Sequence, residues 1–328
     1  MTAGGLRTAA RAVADPFILL LVGTVVLASL LPPRGPAVPL FANLADGGIV
    51  LLFFLHGAKL SREAIWAGAR NWRLHLAVVG MTFLLFPLLG LALAQLPLLD
   101  PTLAAGMLFL CLLPSTVQSS IAFTSIAGGN VVAALCSASL SQLIGIFATP
   151  ALVALTMNAH AGMSFDALEK ILLLLLAPFL AGHFARPLIG GFVARHKGLV
   201  GLVDRGSILL VVYVAFGAAV VGGLWSLVSL IDLVTVVALS CALLAVIFSA
   251  SWGLGGLLGF AREDRIVLLF CGSKKSLVAG VPMAGILFAP TQIGMILLPI
   301  MLFHQIQLIA CAILARRFAT IAGRENIA

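Results

Sequence analysis

The chain has 328 residues, of which 62% are hydrophobic and only 9% charged. A soluble domain carries roughly 25% charged residues, so the composition excludes a water-soluble domain and defines an all-α polytopic membrane protein. The formal net charge of +8 would suggest nucleic acid only in a soluble protein. In a bilayer protein that excess sorts to the cytoplasmic loops, and no nucleic-acid partner is expected.

Residues 1–15 carry Arg7 and Arg11 ahead of an apolar run and resemble the n-region of a signal peptide. No small-residue cleavage site follows, so 16–31 reads as a retained first helix. A span needs about 20 residues, and ten candidates follow in order: 16–31, 39–58, 73–96, 102–127, 130–157, 166–189, 204–223, 228–259, 263–288 and 292–317. With the N-terminus inside, the cytoplasmic side collects fifteen of the nineteen Lys and Arg residues. Among them are Lys59, Arg62, Arg70 and Arg73, then Arg186, Arg195, Lys197 and Arg205. Arg34 and Lys170 fall outside. This asymmetry is what the positive-inside rule requires, and it places both termini in the cytoplasm of a bacterial inner membrane.

Ten helices divide into two sets of five, so the second set enters the membrane from the opposite side. The fourth helix of each set is interrupted. Helix 4 breaks at Pro114, Ser115, Thr116, Val117, Gln118, Ser119 and Ser120, and helix 9 at Gly272, Ser273, Lys274, Lys275 and Ser276. Interrupted segments at corresponding positions of two halves point to a transporter site near the midplane. Helix 5 adds Ser137, Ser139, Ser141 and Gln142. Ser137 and Ser141 share a face, and such hydroxyls equally serve close helix packing.

Lys274 and Lys275 sit between apolar runs where a charge costs at least ~2.5 kcal/mol. All eleven acids read as lying near span ends, leaving the lysines no buried carboxylate. They either lose a proton or hold an anion in a wet cavity. In helix 10, His304 and Gln307 share a face, with Gln305 between them; His304 either relays protons or makes one structural hydrogen bond. His183 reads as structural, and Arg262, Asp264 and Arg265 as a surface charge cluster. The five cysteines lie in apolar runs without metal or disulfide spacing and read as small buried hydrophobes. No acid pair, metal-ligand set or nucleophile with a base converges, so no enzyme or cofactor is expected. A channel would want repeated pore-lining rings.

The run Cys271-Gly272-Ser273-Lys274-Lys275-Ser276-Leu277, then Gly280-Val281-Pro282-Met283-Ala284, then Phe303-His304-Gln305-Ile306-Gln307 resembles the bile acid:sodium symporter family. It is most similar to the prokaryotic, SBF-like transporter branch of that family. The resemblance covers nearly the whole chain, with Gly129-Asn130 and Thr149-Pro150 anchoring helix 5. It implies two inverted five-helix repeats with broken helices 4 and 9 crossing. A core (helices 3–5 and 8–10, about 73–157 and 228–317) would move against a panel (helices 1–2 and 6–7, about 16–58 and 166–223). It also implies secondary transport of a small organic anion, often driven by sodium.

In the family, helix 9 carries Glu-x-Gly-x-Gln-Asn, whose acid binds sodium. Aligned on Gly272, Phe270 stands at the acid, Lys274 at the glutamine and Lys275 at the asparagine. The helix 4 Ser-Asn pair falls on Ser119-Ser120 or Ser120-Ile121, without the asparagine. The candidate substrate- and ion-binding residues are therefore Pro114, Ser115, Thr116, Gln118, Ser119, Ser120, Ser139, Ser273, Lys274, Lys275, Ser276, His304 and Gln305. Two readings stand open. In one, an ammonium of Lys274 or Lys275 takes the place of sodium and either fixes the charge or couples transport to protons. In the other, the lysines point away and a hydroxyl-lined sodium site remains near Ser119, Ser120 and Ser139. A non-transporting sensor or assembly partner is the remaining class.

Overall fold

The computed structural model describes residues 16–59, 71–157 and 172–325. All regular structure among them is helical. The elements are α1 (Pro16–Leu30), α2 (Ala37–Lys59), α3 (Trp72–Ala94), α4a (Pro101–Leu112), α4b (Val117–Ile126), α5 (Val131–Thr156) and α6 (Leu173–Arg195). They continue with α7 (Lys197–Val221), α8 (Leu230–Leu257), α9a (Arg262–Gly272), α9b (Leu277–Leu287) and α10 (Pro290–Glu325). Among the described residues eight spans are long and apolar enough to cross a bilayer, and α4a with α4b, bent by 63°, makes a ninth. The tenth expected span, α1, has 15 described residues. At 1.5 Å per residue that is about 22 Å, short of a ~30 Å hydrocarbon core.

Several expectations need correction. Helix 6 does not stop at 189 and helix 7 does not begin at 204. α6 runs to Arg195 and α7 starts at Lys197, with His196 alone between them. The helices outlast their apolar stretches, because charged turns outside the hydrocarbon carry no desolvation penalty and Arg195 complements the helix C-terminus. The acids are not all at span ends. Asp46 lies well inside α2 on an exposed face, and Asp204 lies about two turns into α7, where it pairs with Lys59. Cys241 is exposed on α8, unlike the four buried cysteines. The start of the expected helix 6, Arg62, Arg70, Lys170 and residues 1–15 lie outside the described residues.

Asp264 and its two arginines are not a free surface cluster. Asp264 accepts hydrogen bonds from Asn71 and Asn130, each at 3.0 Å, joining the starts of α3, α5 and α9a. Arg265 donates to the Trp252 carbonyl at 3.1 Å and stacks over that indole at 4.1 Å. Arg262 reaches the Phe318 carbonyl on α10.

The helices make two sets of contacts, and α7 belongs to both, packing against α1 and α2 and also against α9b and α10. α2 lies against α6 and α7, and α1 against α7. The α2–α6 seam brings backbone to backbone. A Cβ on Gly57 would overlap the Phe179 carbonyl, and one on Gly182 would overlap the Phe54 carbonyl. Small residues permit such approach between membrane helices. In the other set α9a and α9b thread through the middle. The span 262–287 is 94% buried, against 22–50% for the other seven long spans. α3, α4b, α5, α7, α8 and α10 pack against it.

Candidate functional site

The site begins with missing amides. The last carbonyls of a helix have no intrahelical donor, and proline lacks an N–H altogether. Pro114 stops α4a at Leu112. Ser115, whose N–H an α-helix would send to the Cys111 carbonyl, instead donates to the Ser141 hydroxyl at 3.0 Å. The Cys111 and Leu113 carbonyls are thereby released. In α3 the five residues Met81–Leu85 form a π-helical turn, and the Phe86 N–H bonds the Met81 carbonyl. The next bond in that register would run from residue 87 to the Thr82 carbonyl, and residue 87 is proline. Thr82 is left with a buried carbonyl that its own helix cannot serve.

Lys275 serves all three. Its Nζ donates to the carbonyls of Thr82 at 2.9 Å, Cys111 at 2.8 Å and Leu113 at 2.7 Å. The ammonium lies 4.1 Å from the Phe86 ring centre, and the side chain is 1% exposed. Three acceptors match the three N–H bonds of an ammonium, whereas a neutral amine has two. The negative end of the α4a dipole faces the same charge.

The two breaks also satisfy each other. Ser115 Oγ donates to the Cys271 carbonyl at 2.6 Å, Ser120 Oγ to Phe270 O at 3.3 Å, and Thr116 Oγ1 to Lys275 O at 2.9 Å. In return the Ser276 N–H donates to Pro114 O at 2.9 Å. Ser276 Oγ caps α9b by accepting from Ala279 N at 3.2 Å, and it accepts from Gln142 at 3.2 Å. Gln307 of α10 clasps the Lys275 backbone on both sides, accepting from its N–H at 3.0 Å and donating to its carbonyl at 2.9 Å. His304 is 2.9 Å from Gln307 through Nδ1. Broken backbone at membrane depth is tolerated where protein covers it, and here the cover is complete at each of these groups.

Lys274 points elsewhere. Its Nζ donates to Ser119 Oγ at 3.0 Å and lies 4.2 Å from the Phe123 ring centre, with the residue 0% exposed. Ser273 Oγ and Gln305 Oε1 are buried without a hydrogen-bond partner. Ser139 is half-buried and makes no hydrogen bond among the described residues, and Gln118 is exposed. The structure thus gathers Pro114, Ser115, Thr116, Ser119, Ser120, Lys274, Lys275 and Ser276 at one crossing.

Two of the three hydroxyls of the expected sodium site are engaged by protein groups. Ser119 accepts from Lys274, Ser120 donates to the Phe270 carbonyl, and Ser139 is half-buried. A sodium ion, a hard cation, takes oxygen ligands. The oxygens clustered at the crossing are already held by the Lys275 ammonium, so the residues present do not fit the ion there.

Sequence reasoning passed over Thr82, Pro87 and Gln307 as parts of the site. Gln307 was visible in the polar Phe303–Gln307 run; Pro87 in the middle of an apolar span was the available signal for Thr82.

Paired broken helices whose ends satisfy each other across the interior of a membrane bundle are the architecture of a carrier. The chain belongs to the SBF-like CPA transporter family, whose model matches residues 15–320. It is 55% identical over 307 residues to the Escherichia coli (strain K12) protein named "Putative symporter YfeH", covering 93% of this chain and 92% of that one. It is 54% identical over 313 residues to "Uncharacterized protein PA2026" of Pseudomonas aeruginosa, covering 94% of each. "Sodium/bile acid cotransporter 7" of Mus musculus is 26% identical over 276 residues, covering 81% of this chain and 80% of that protein.

Proposed function

We propose that the protein is a secondary active carrier of a small organic anion that works by alternating access and holds a lysine ammonium where relatives would hold sodium. The observation that carries this reading is the Lys275 ammonium among three main-chain carbonyls at the crossing. Family membership supports transport, and the name of the mouse relative supports an anion of the bile-acid kind. The paired breaks support ten helices in two inverted repeats, with both termini on the cytoplasmic side of a bacterial inner membrane. The seam of α2 with α6 and α7 supports a panel of α1, α2, α6 and α7. The remaining helices form the core that moves against it.

Lys275 supplies a fixed cation, so no sodium is needed to neutralise the carbonyl cage. Two unit charges 4 Å apart repel by ~4 kcal/mol at an effective dielectric of 20, which opposes a sodium ion beside the ammonium. Coupling then falls to protons, with Lys274 as the candidate carrier, or the anion gradient alone drives passage.

Tracer uptake into proteoliposomes under imposed sodium and proton gradients tests the reading. Saturable uptake with counterflow, indifferent to sodium, is expected. Steep sodium dependence that persists in Lys274→Ala and Lys275→Ala would restore a plain sodium symporter. Absence of uptake for every anion tried would favour a sensor.

A further inference from the structure

Gln307 on α10 holds the Lys275 main chain by two bonds whose directions are fixed. A main-chain N–H can only donate, and a main-chain carbonyl can only accept. Oε1 therefore faces the Lys275 N–H at 3.0 Å, and Nε2 faces the Lys275 carbonyl at 2.9 Å. The backbone thus sets which way the amide lies. The second N–H of Nε2 faces His304 Nδ1 at 2.9 Å. A neutral imidazole has one donor and one acceptor nitrogen, whereas an imidazolium donates from both. Nδ1, facing an N–H, is the acceptor, so His304 is neutral in this arrangement and carries its proton on Nε2. His304 is 9% exposed, against 0% for Gln307 and 1% for Lys275, so it is the member of the three that a proton reaches first.

We infer that His304 Nδ1 is the binding site of a coupling proton, and that Gln307 converts its occupancy into release of the Lys275 main chain. A proton on Nδ1 sets one N–H against another. Turning the Gln307 amide over offers Oε1 to the imidazolium. The same turn sets Nε2 against the Lys275 N–H and Oε1 against the Lys275 carbonyl, so both bonds to the main chain are lost. The proton and the closed clasp exclude each other. Lys275 is the residue whose Nζ fills the cage of Thr82, Cys111 and Leu113, and its carbonyl also accepts from Thr116 of the other break. Freeing its main chain loosens the crossing. The proton comes from water on one side of the membrane and returns to water on the other. Gln307 is a positioning residue, since it acts through Lys275. The inference rests on the carrier reading and puts the proton on His304 rather than on Lys274.

The helices packed against α10 are α4a, α4b, α7, α8 and α9b, and α3 meets it through Phe86 and Phe303. Their titratable side chains are Cys111 on α4a, Lys197, Asp204, Arg205 and Tyr213 on α7, Asp232 and Cys241 on α8, and Arg73 and His75 on α3. Asp204 is bound to Lys59, Asp232 to Ser229, His75 to Ser137 and Tyr213 to the Leu31 carbonyl. Arg262 of α9a meets α10 at Phe318, about four turns from His304. The cations beside this part of α10 are Lys275, in the Gln307 clasp, and Lys274, near Cys311.

Nitrogen NMR of the full chain in nanodiscs, with isotope-labelled histidine, reads the proton on each ring nitrogen. The His304 signals are those lost in His304→Asn, with His304→Gln as the substitute should the asparagine variant fail to fold. In mildly alkaline buffer a neutral ring protonated on Nε2 is expected. A ring protonated on Nδ1 there would overturn the inference. The second arm is the melting temperature in detergent. Asparagine puts an amide oxygen near the place of Nδ1 and takes up no proton, so His304→Asn keeps an acceptor for Gln307 at every pH. Acidification through the ordinary histidine range, about pH 6.5, should lower the wild-type melting temperature by about 2–4 °C more than that of His304→Asn. Lys274→Met should respond as the wild type does. An equal response in wild type and His304→Asn, or a response lost in Lys274→Met, would overturn the inference. Taurocholate uptake into proteoliposomes separates it from the carrier reading beneath it. At one proton per anion, an imposed gradient of about one pH unit should raise wild-type accumulation about tenfold, and His304→Asn should show no such rise. The same rise in both would overturn the inference and leave the carrier. No uptake by the wild type, with the NMR and melting results intact, would sink the carrier reading and leave the proton site.

Discussion

Lys275 supplies to Thr82 the hydrogen bond that Pro87 cannot. The π-turn at Met81–Leu85 shifts the bonding register of α3 by one residue, so the Thr82 carbonyl looks to residue 87 and finds an imide nitrogen. The lysine reaches it from another helix at 2.9 Å. π-turns occur frequently at functional sites, and here the turn has a definite product: one buried carbonyl aimed at the crossing.

Replacing Lys275 with methionine keeps most of the side-chain volume and removes all three donors. Each buried carbonyl left unpaired costs about 1–3 kcal/mol. Lys275→Met should therefore lower the melting temperature in detergent far more than Lys274→Met, which gives up one hydroxyl partner. Equal losses in the two variants would contradict the carbonyl cage.

Pro87→Ala restores an amide at the position the π-register calls for. Alone it should change stability little. Combined with Lys275→Met, it should recover part of the loss, because Thr82 regains a donor. A double-mutant cycle measures this coupling, expected at about 0.5–3 kcal/mol. Strict additivity would show that Pro87 and Lys275 do not share that carbonyl.

Ser115→Ala deletes the 2.6 Å bond to the Cys271 carbonyl and should destabilise the fold by about 1–3 kcal/mol. Ser125→Ala, on an exposed position of α4b, should stay within about 0.5 kcal/mol. Thermal denaturation of the two purified variants side by side checks the contrast.

At the panel seam, Gly182→Ala would drive a methyl into the Phe54 carbonyl. The helices must part, so expression and melting temperature should both fall sharply. Gly253→Ala on α8, where nothing lies within 4 Å, should be neutral or stabilise by up to about 1 kcal/mol through helix propensity. A tolerated Gly182→Ala would mean the seam is looser than described.

The breaks were legible because they are polar stretches in apolar surroundings. Pro114 with its hydroxyls and Gly272 with its lysines stand out against spans that are otherwise Leu, Val and Ala. Their mutual contact was legible too, since two breaks at matching places in two halves have only each other to pair with. The division of labour between the lysines was not. Adjacent residues in non-helical backbone project in different directions, and only coordinates show Lys275 reaching Thr82 and Lys274 reaching Ser119. The π-turn has no composition of its own. Residues 189–204 looked like a loop because Gly190, Gly191, Gly198 and Gly201 with four nearby charges erase apolar periodicity, although the helices continue through them.

A hydrogen-bond donor held by a side chain differs from an ion drawn from solution in one respect: it has no off-rate. The cage formed by Thr82, Cys111 and Leu113 is filled at any salt concentration on either side of the membrane, and it cannot be emptied by dilution. It remains occupied whether the protein faces a freshwater pond or brine, so the donor at the crossing belongs to the polypeptide rather than to its surroundings.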